Sequence, residues 1–176
     1  IFERIVRLKQ IRDRYESFEK NKIIQIMSQL RHHLINMDEI DKICKQINEH
    51  ERFIVYGSPT LLNLLFDFQV DMKIFDKTVL LSSVNDGKIL VPKNNDLIGL
   101  FTATGRLLGC CDAKFQEIVL DTKNTKILFS KAQINSEYVD FNFSMDTDND
   151  YYEMHYVFLF LFDLIKARYY ELYIKE

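Results

Sequence analysis

Two short turns carry the residue types that bind anions. The first is Gly57-Ser58-Pro59-Thr60 and the second is Thr102-Ala103-Thr104-Gly105-Arg106. Each combines hydroxyls with a glycine, after an apolar run and before a helical pattern. Hydroxyls and backbone N–H groups at the start of a helix favour a phosphate. Arg106 adds a guanidinium that can clamp a phosphate through two parallel hydrogen bonds. Capping of the helices is the plainer role for the same Ser and Thr side chains. The candidate ligand-binding residues are therefore Gly57, Ser58, Thr60, Thr102, Thr104, Gly105 and Arg106. Neither turn spells G-x-G-x-x-G or G-x-x-x-x-G-K-[ST], which speaks against a dinucleotide fold and a P-loop.

Other constellations fall short of a site. Asp146, Asp148 and Asp150 have the spacing of a calcium loop, but Tyr151 and Val157 stand where Gly and Glu are needed. Those acids instead suit the N-terminus of the following helix through its dipole. Of His32, His33, His50 and His155, only His155, beside Glu153, lies near the expected α/β unit. A general-base role there competes with that of an ordinary helix-face histidine. Cys44, Cys110 and Cys111 are odd in number and form no C-x-x-C pair. They read as thiols of a reducing compartment, not as a disulfide framework or a zinc site. No catalytic residue, metal or cofactor is assigned.

The elements that must position the two turns follow from periodicity. Ile1, Ile5, Leu8, Ile11, Tyr15 and Phe18 recur in steps of three and four, as do Ile23, Met27, Leu30, Leu34 and Met37, then Ile40, Cys44 and Ile47. This predicts helices over about 2–18, 22–35 and 37–50. Asn36 and Glu39 have the spacing of a capping box before the third. Phe53–Tyr56, Thr78–Leu81, Asp96–Phe101 and Lys126–Phe129 read as buried strands, and the alternating Tyr138–Phe143 as an edge strand. Leu61, Leu64, Leu65, Phe68 and Met72 have helical spacing, and a further helix is expected over 106–121. Strands alternating with helices predict a three-layer α/β/α sandwich around a five-stranded parallel sheet, preceded by N-terminal helices. The division expected is 1–50 as a helical segment or linker and 51–176 as the α/β domain. A last helix over 150–173 contains Val157–Phe162, apolar on every side, and this predicts burial on more than one face at a subunit interface.

Composition narrows the function classes. The chain has 176 residues, 47% hydrophobic and 28% charged, with a net charge of −3. That is a globular balance, and it disfavours a strongly basic nucleic-acid binder. The first 22 residues hold seven Lys/Arg against four acids, interleaved as on a solvated helix face. The longest apolar run is far too short to span a bilayer, so a cytoplasmic protein with no membrane partner is expected. The sequence starts at Ile1 rather than Met, which reads as a piece of a longer chain.

The order of these features resembles the sugar isomerase (SIS) domain, in particular the C-terminal effector domain of RpiR-type bacterial transcription regulators. The resemblance covers about residues 40–176 and includes the ending Leu161-Phe162-Asp163-Leu164-Ile165-Lys166-Ala167-Arg168-Tyr169-Tyr170. The family's first turn reads roughly G-x-G-x-S. Here Gly57 and the helix residue Asp67 match, while Pro59 and Leu61 replace the second glycine and the serine. The family's phosphate loop reads S-x-S-G-x-T. Thr102, Thr104 and Gly105 keep its pattern, and Leu107 replaces the final Thr. The resemblance implies a phosphorylated sugar or related metabolite as ligand, and a homodimer or homotetramer. It also implies DNA contact only through an N-terminal helix-turn-helix domain outside this sequence. Two readings stand beside that of a sensor. One is a degenerate SIS domain that only dimerises, suggested by Pro59, Leu61 and Leu107. The other is a phosphosugar isomerase using Glu153 or His155.

Overall fold

The structure is a computed structural model that describes residues 36–85, 88–109, 111–131, 133–144 and 151–175, with the backbone alone at 151–153. The helices expected over 2–18 and 22–35, the acids at 146–150 and Cys110 lie outside the described residues. Asn36–Glu176 forms one compact unit.

The sheet has five strands, β1 (Arg52–Gly57), β2 (Thr78–Ser83), β3 (Asp96–Phe101), β4 (Lys126–Ser130) and β5 (Phe141–Ser144). Their order is β2-β1-β3-β4-β5, and every pair is parallel. β3 and β4 are buried at every position, which explains their unbroken apolar runs. β5 lies at one edge, as its alternation predicts. β2 lies at the other edge, and this corrects its reading as a buried strand. Only Val79 and Ser82 are buried there, because an apolar run does not tell how many neighbours a strand has.

Helices cover both faces. α1 (Met37–Glu49) buries Ile40, Ile43, Cys44 and Ile47. A composite helix starts as α2 (Pro59–Leu62), tightens to a 3-10 turn over Asn63–Leu65 and continues as α3 (Phe66–Ile74). The last helix, α6, spans Tyr151–Tyr173. Its Phe158 and Phe162 meet Phe101 of β3 at ring separations of 4.5 and 5.6 Å, and Phe162 also meets Phe129 of β4 and Phe68 of α3. On the opposite face Ile54, Tyr56, Ile98, Leu100 and Leu128 pack with Phe115, Val119 and Leu120. Alternation along β1 and β3 thus feeds two cores, one per face.

α1 packs on α6 through more than apolar contact. The Arg168 guanidinium donates to both carboxylate oxygens of Asp41 at 2.7 and 3.0 Å, which holds the Asp41 carboxyl below the usual range. The Tyr169 hydroxyl donates to Asn48 Oδ1 at 3.1 Å. By packing, then, the helix over 37–49 belongs with the α/β body. Burial pushes the Cys44 thiol up to about 12.

Two expectations need correction. The capping box does not form, because Asn36 turns its amide to donate to the Glu39 carboxylate at 3.2 Å and accepts no backbone N–H through its side chain. The helix over 106–121 is broken into α4 (Arg106–Gly109), α5 (Ala113–Phe115) and a π-type turn over Gln116–Leu120. Gly109 weakens the first piece, and Asp112 starts the second by accepting the Phe115 N–H at 2.7 Å. The link from β2 to β3 contains no helix among its described residues. Val84 and Ile89 of this strap pack on the core, and the Tyr56 hydroxyl donates to Leu90 O at 2.7 Å. Within this chain α6 buries one face. Val157, Phe158, Leu161 and Phe162 are buried, while Leu159 and Phe160 are 38% and 42% exposed.

Candidate functional site at the carboxyl ends of the strands

The chain leaves β1 towards β2 on one side and returns to place β3 on the other. Such a reversal of strand order leaves a crevice beyond the carboxyl ends of the two strands. Gly57, the last residue of β1, lies opposite both Phe101 and Ser83, so the turns after β1, β2 and β3 converge. Gly57 is needed for that closeness, since a Cβ there would stand 2.9 Å from Phe101 O. Its own carbonyl accepts the Val84 N–H at 3.1 Å, which tethers the turn after β2.

A cleft of about 550 Å³ opens at this point. It unites the two turns singled out in the sequence. Ser58, Thr102, Thr104 and Arg106 all line it, and the other three candidates do not. Gly57 lies at the strand end, Thr60 is exposed on α2, and Gly105 shapes the second turn. Gly105 has φ +77°, which a side chain rarely adopts, and Ile134 Cδ1 fills the space a Cβ would take.

The hydroxyls are used differently from one another. Ser58 is the N-cap of α2, with Pro59 at the first helical position, yet its side chain makes no capping hydrogen bond. That hydroxyl remains on the cleft. Thr102 is 6% exposed, and its Oγ1 accepts the Gly105 N–H at 3.1 Å. Its own N–H donates to Phe129 O at 3.0 Å. Thr102 therefore builds the turn, while Thr104 and Arg106 are exposed. α4 is a single turn of four residues, so a helix dipole adds little, and the anion affinity expected there falls to Arg106 and the hydroxyls.

Sequence reasoning missed part of the lining. Asn85 lies beyond the end of β2, which runs two residues further than its apolar core suggested. Asp112 lines the cleft as the N-cap of α5, and the apparent helical period over 106–121 hid that start signal. Leu61 and Leu107 line it as well, together with Phe101 and Phe115. These side chains make part of the lining apolar.

The opposite ends of the strands hold a second polar group. Arg52 Nε donates to Asp96 Oδ1 at 2.7 Å, and its Nη2 meets the other carboxylate oxygen. The Lys93 N–H donates to that same oxygen at 2.6 Å. Burial raises the Asp96 carboxyl, but the hydrogen bonds and charge of Arg52, with the Lys93 N–H, outweigh it and leave the pKa below the usual range. Asn124 Nδ2 donates to the carbonyls of Lys93 and Asp96 at 2.6 and 2.8 Å. Buried Lys126 donates from Nζ to Asn124 O at 3.0 Å and to Thr122 O. Burial lowers its pKa, against the opposing charges of Asp140 and Asp121.

Neither a protein-family model nor a curated protein sequence matches this chain. Solved structures do. The Vibrio vulnificus NanR protein complexed with ManNAc-6P aligns with a TM-score of 0.68 at 11% identity, over 96% of this chain and 68% of NanR. A Methanococcus jannaschii protein, whose structure was taken to infer a 3-hexulose-6-phosphate isomerase function, aligns with a TM-score of 0.67 at 14% identity, over 85% of this chain and 87% of its own. An Escherichia coli CFT073 protein, solved as a ligand complex, aligns with a TM-score of 0.61 at 11% identity, over 88% of this chain and 93% of its own.

The fold is SIS-like. In this SIS-like domain the cleft occupies the crevice at the strand-order reversal. Among the described residues no group of three His, Cys, Asp or Glu is placed to hold a metal ion, and no helix is long and apolar enough to cross a membrane.

Proposed function

We propose that this domain binds a phosphorylated sugar in the cleft and serves as the effector domain of an RpiR-type transcription regulator. The observation that carries the reading is the convergence of Ser58, Thr104 and Arg106 on one cleft at the strand-order reversal. An SIS-like neighbour that is complexed with a phosphosugar, the NanR protein, supports it. Ligand binding would favour one arrangement of two subunits, and thereby one spacing of DNA-binding domains carried elsewhere in the full protein. The net charge of −3 suits a domain whose DNA contacts lie elsewhere. The exposed Leu159 and Phe160 of α6 supply an apolar surface for the subunit contact.

The sensor reading is preferred to that of an isomerase. An isomerase needs a base beside the sugar carbons. His155 is not among the cleft-lining residues, and the Glu153 side chain lies outside the described ones. A domain that only dimerises is the second reading, favoured by Leu61 and Leu107 on the cleft wall. A thermal-shift panel of phosphorylated sugars separates the readings. Binding at one hundred times Kd adds about 2.7 kcal/mol, and thus raises the melting temperature by roughly 5–10 °C. A selective rise is expected. A normal melt unmoved by every compound would overturn the sensor reading in favour of the dimerisation module, and turnover of a phosphosugar would establish an isomerase.

A further inference from the structure

We propose that Asp112 makes this cleft selective for phosphosugars that also carry an amino group, over phosphosugars without one and over bisphosphates. The inference rests on the phosphosugar reading of the cleft. Among the described lining residues there is one cation, Arg106, and one carboxylate, Asp112. Arg106 opens α4 and Asp112 precedes α5, so both lie along the same stretch of the rim. No ion pair among the described residues joins them. Each charge is therefore available to a ligand.

The cap does not account for the carboxylate. Capping of α5 uses Asp112 Oδ1, which accepts the Phe115 N–H at 2.7 Å. A carboxylate has a second oxygen and further lone pairs to offer. Ser or Asn would cap about equally well without a charge. Leu107 and Phe115 also line the cleft and hold no donor or acceptor on their side chains, so a polar ligand body gains no partner from them. A ligand that pairs its phosphate with Arg106 and an ammonium with Asp112 satisfies both rim charges. A second phosphate would meet Asp112 as a like charge. Such repulsion contributes to specificity as much as attraction does. Both side chains are exposed, so water and salt screen the pair, and the discrimination expected is about tenfold.

Calorimetry tests this with glucosamine 6-phosphate, glucose 6-phosphate and fructose 1,6-bisphosphate as probes. The proteins are the wild type, Asp112→Asn and Asp112→Ser, both of which keep a capping side chain. The wild type is expected to bind the amino sugar about tenfold more tightly than glucose 6-phosphate, with the bisphosphate weakest. Both variants should lose that preference and gain affinity for the bisphosphate while melting close to the wild-type temperature. Equal binding of all three probes by the wild type would overturn the selectivity and leave the phosphosugar reading standing. So would a preference that survives in both variants. If no probe binds the wild type, the phosphosugar reading fails and the selectivity with it.

Discussion

The two ends of the sheet are both polar, and they differ in how their polar groups are used. At the amino ends of β1, β3 and β4, Arg52, Asp96, Asn124 and Lys126 satisfy one another and the nearby backbone. At the carboxyl ends, Ser58 caps without a side-chain hydrogen bond, and Thr104 and Arg106 face the opening. Buried polar groups must be paired, or they cost stability. Exposed ones without internal partners cost little and are available for binding. The first cluster holds the sheet together and the second is free to hold something else.

The sharpest way to break this contrast is at Asp96. Asp96→Ala leaves the half-buried Arg52 guanidinium and the Lys93 N–H without their acceptor. A loss of about 3 kcal/mol is expected, read as a fall of roughly 6–12 °C in melting temperature. The same residue gives a pH signature. Its folded pKa lies below the ordinary value of 3.8, so its contribution is complete above about pH 4 and is lost as pH falls below that. Acid melts of Asp96→Asn should therefore be flatter below pH 4 than those of the wild type. An Asp96→Ala protein that melts like the wild type would remove the distinction between the two ends.

At the cleft the expected effects fall on binding and leave stability alone. Arg106→Ala should weaken phosphosugar affinity about tenfold or more, and Thr104→Val less, with melting within about 2 °C of the wild type. Unchanged affinity by calorimetry would displace the phosphate from this turn. Leu107→Thr returns a donor to the apolar wall and should tighten phosphate binding several-fold. The smallest change in stability is expected for Phe160→Asp, on the outward face of α6. It should leave the fold intact and shift gel-filtration elution towards the monomer, and a variant that elutes with the wild type would remove Phe160 from any interface.

Much of the fold was legible because strand-forming runs are punctuated. Gly57 closes β1, and Thr102 to Gly105 closes β3, so the two turns at the cleft are marked in the chain itself. Periodicity also found α1 and α6. It failed where a pattern reports burial without reporting neighbours. Thr78–Leu81 reads like a central strand but has a partner on one side only. The apolar run in α6 reads as buried on more than one face, and this chain covers one of them, so the pattern does not say what covers the rest. Over 106–121 the leucine and valine spacing mimics one helix, because the two short pieces and the π-type turn happen to place apolar residues on one core. That false continuity concealed Asp112. Ser58 shows the same limit at the level of a single side chain, since a cap position in sequence does not say whether the hydroxyl caps.

The all-parallel sheet has a consequence for how the chain folds. Among its five described strands there is no hairpin, so none of them pairs with a sequence neighbour across a tight turn. The Arg52–Asp96 bridge between β1 and β3 joins residues 44 apart. Such closures lose chain entropy before any contact offsets it, so refolding should be slow for a domain of this size. During that interval β1, Phe53 to Tyr56, is an uncovered apolar strand with both edges open. Refolding yield should therefore fall as protein concentration rises, with association through that central segment as the competing reaction.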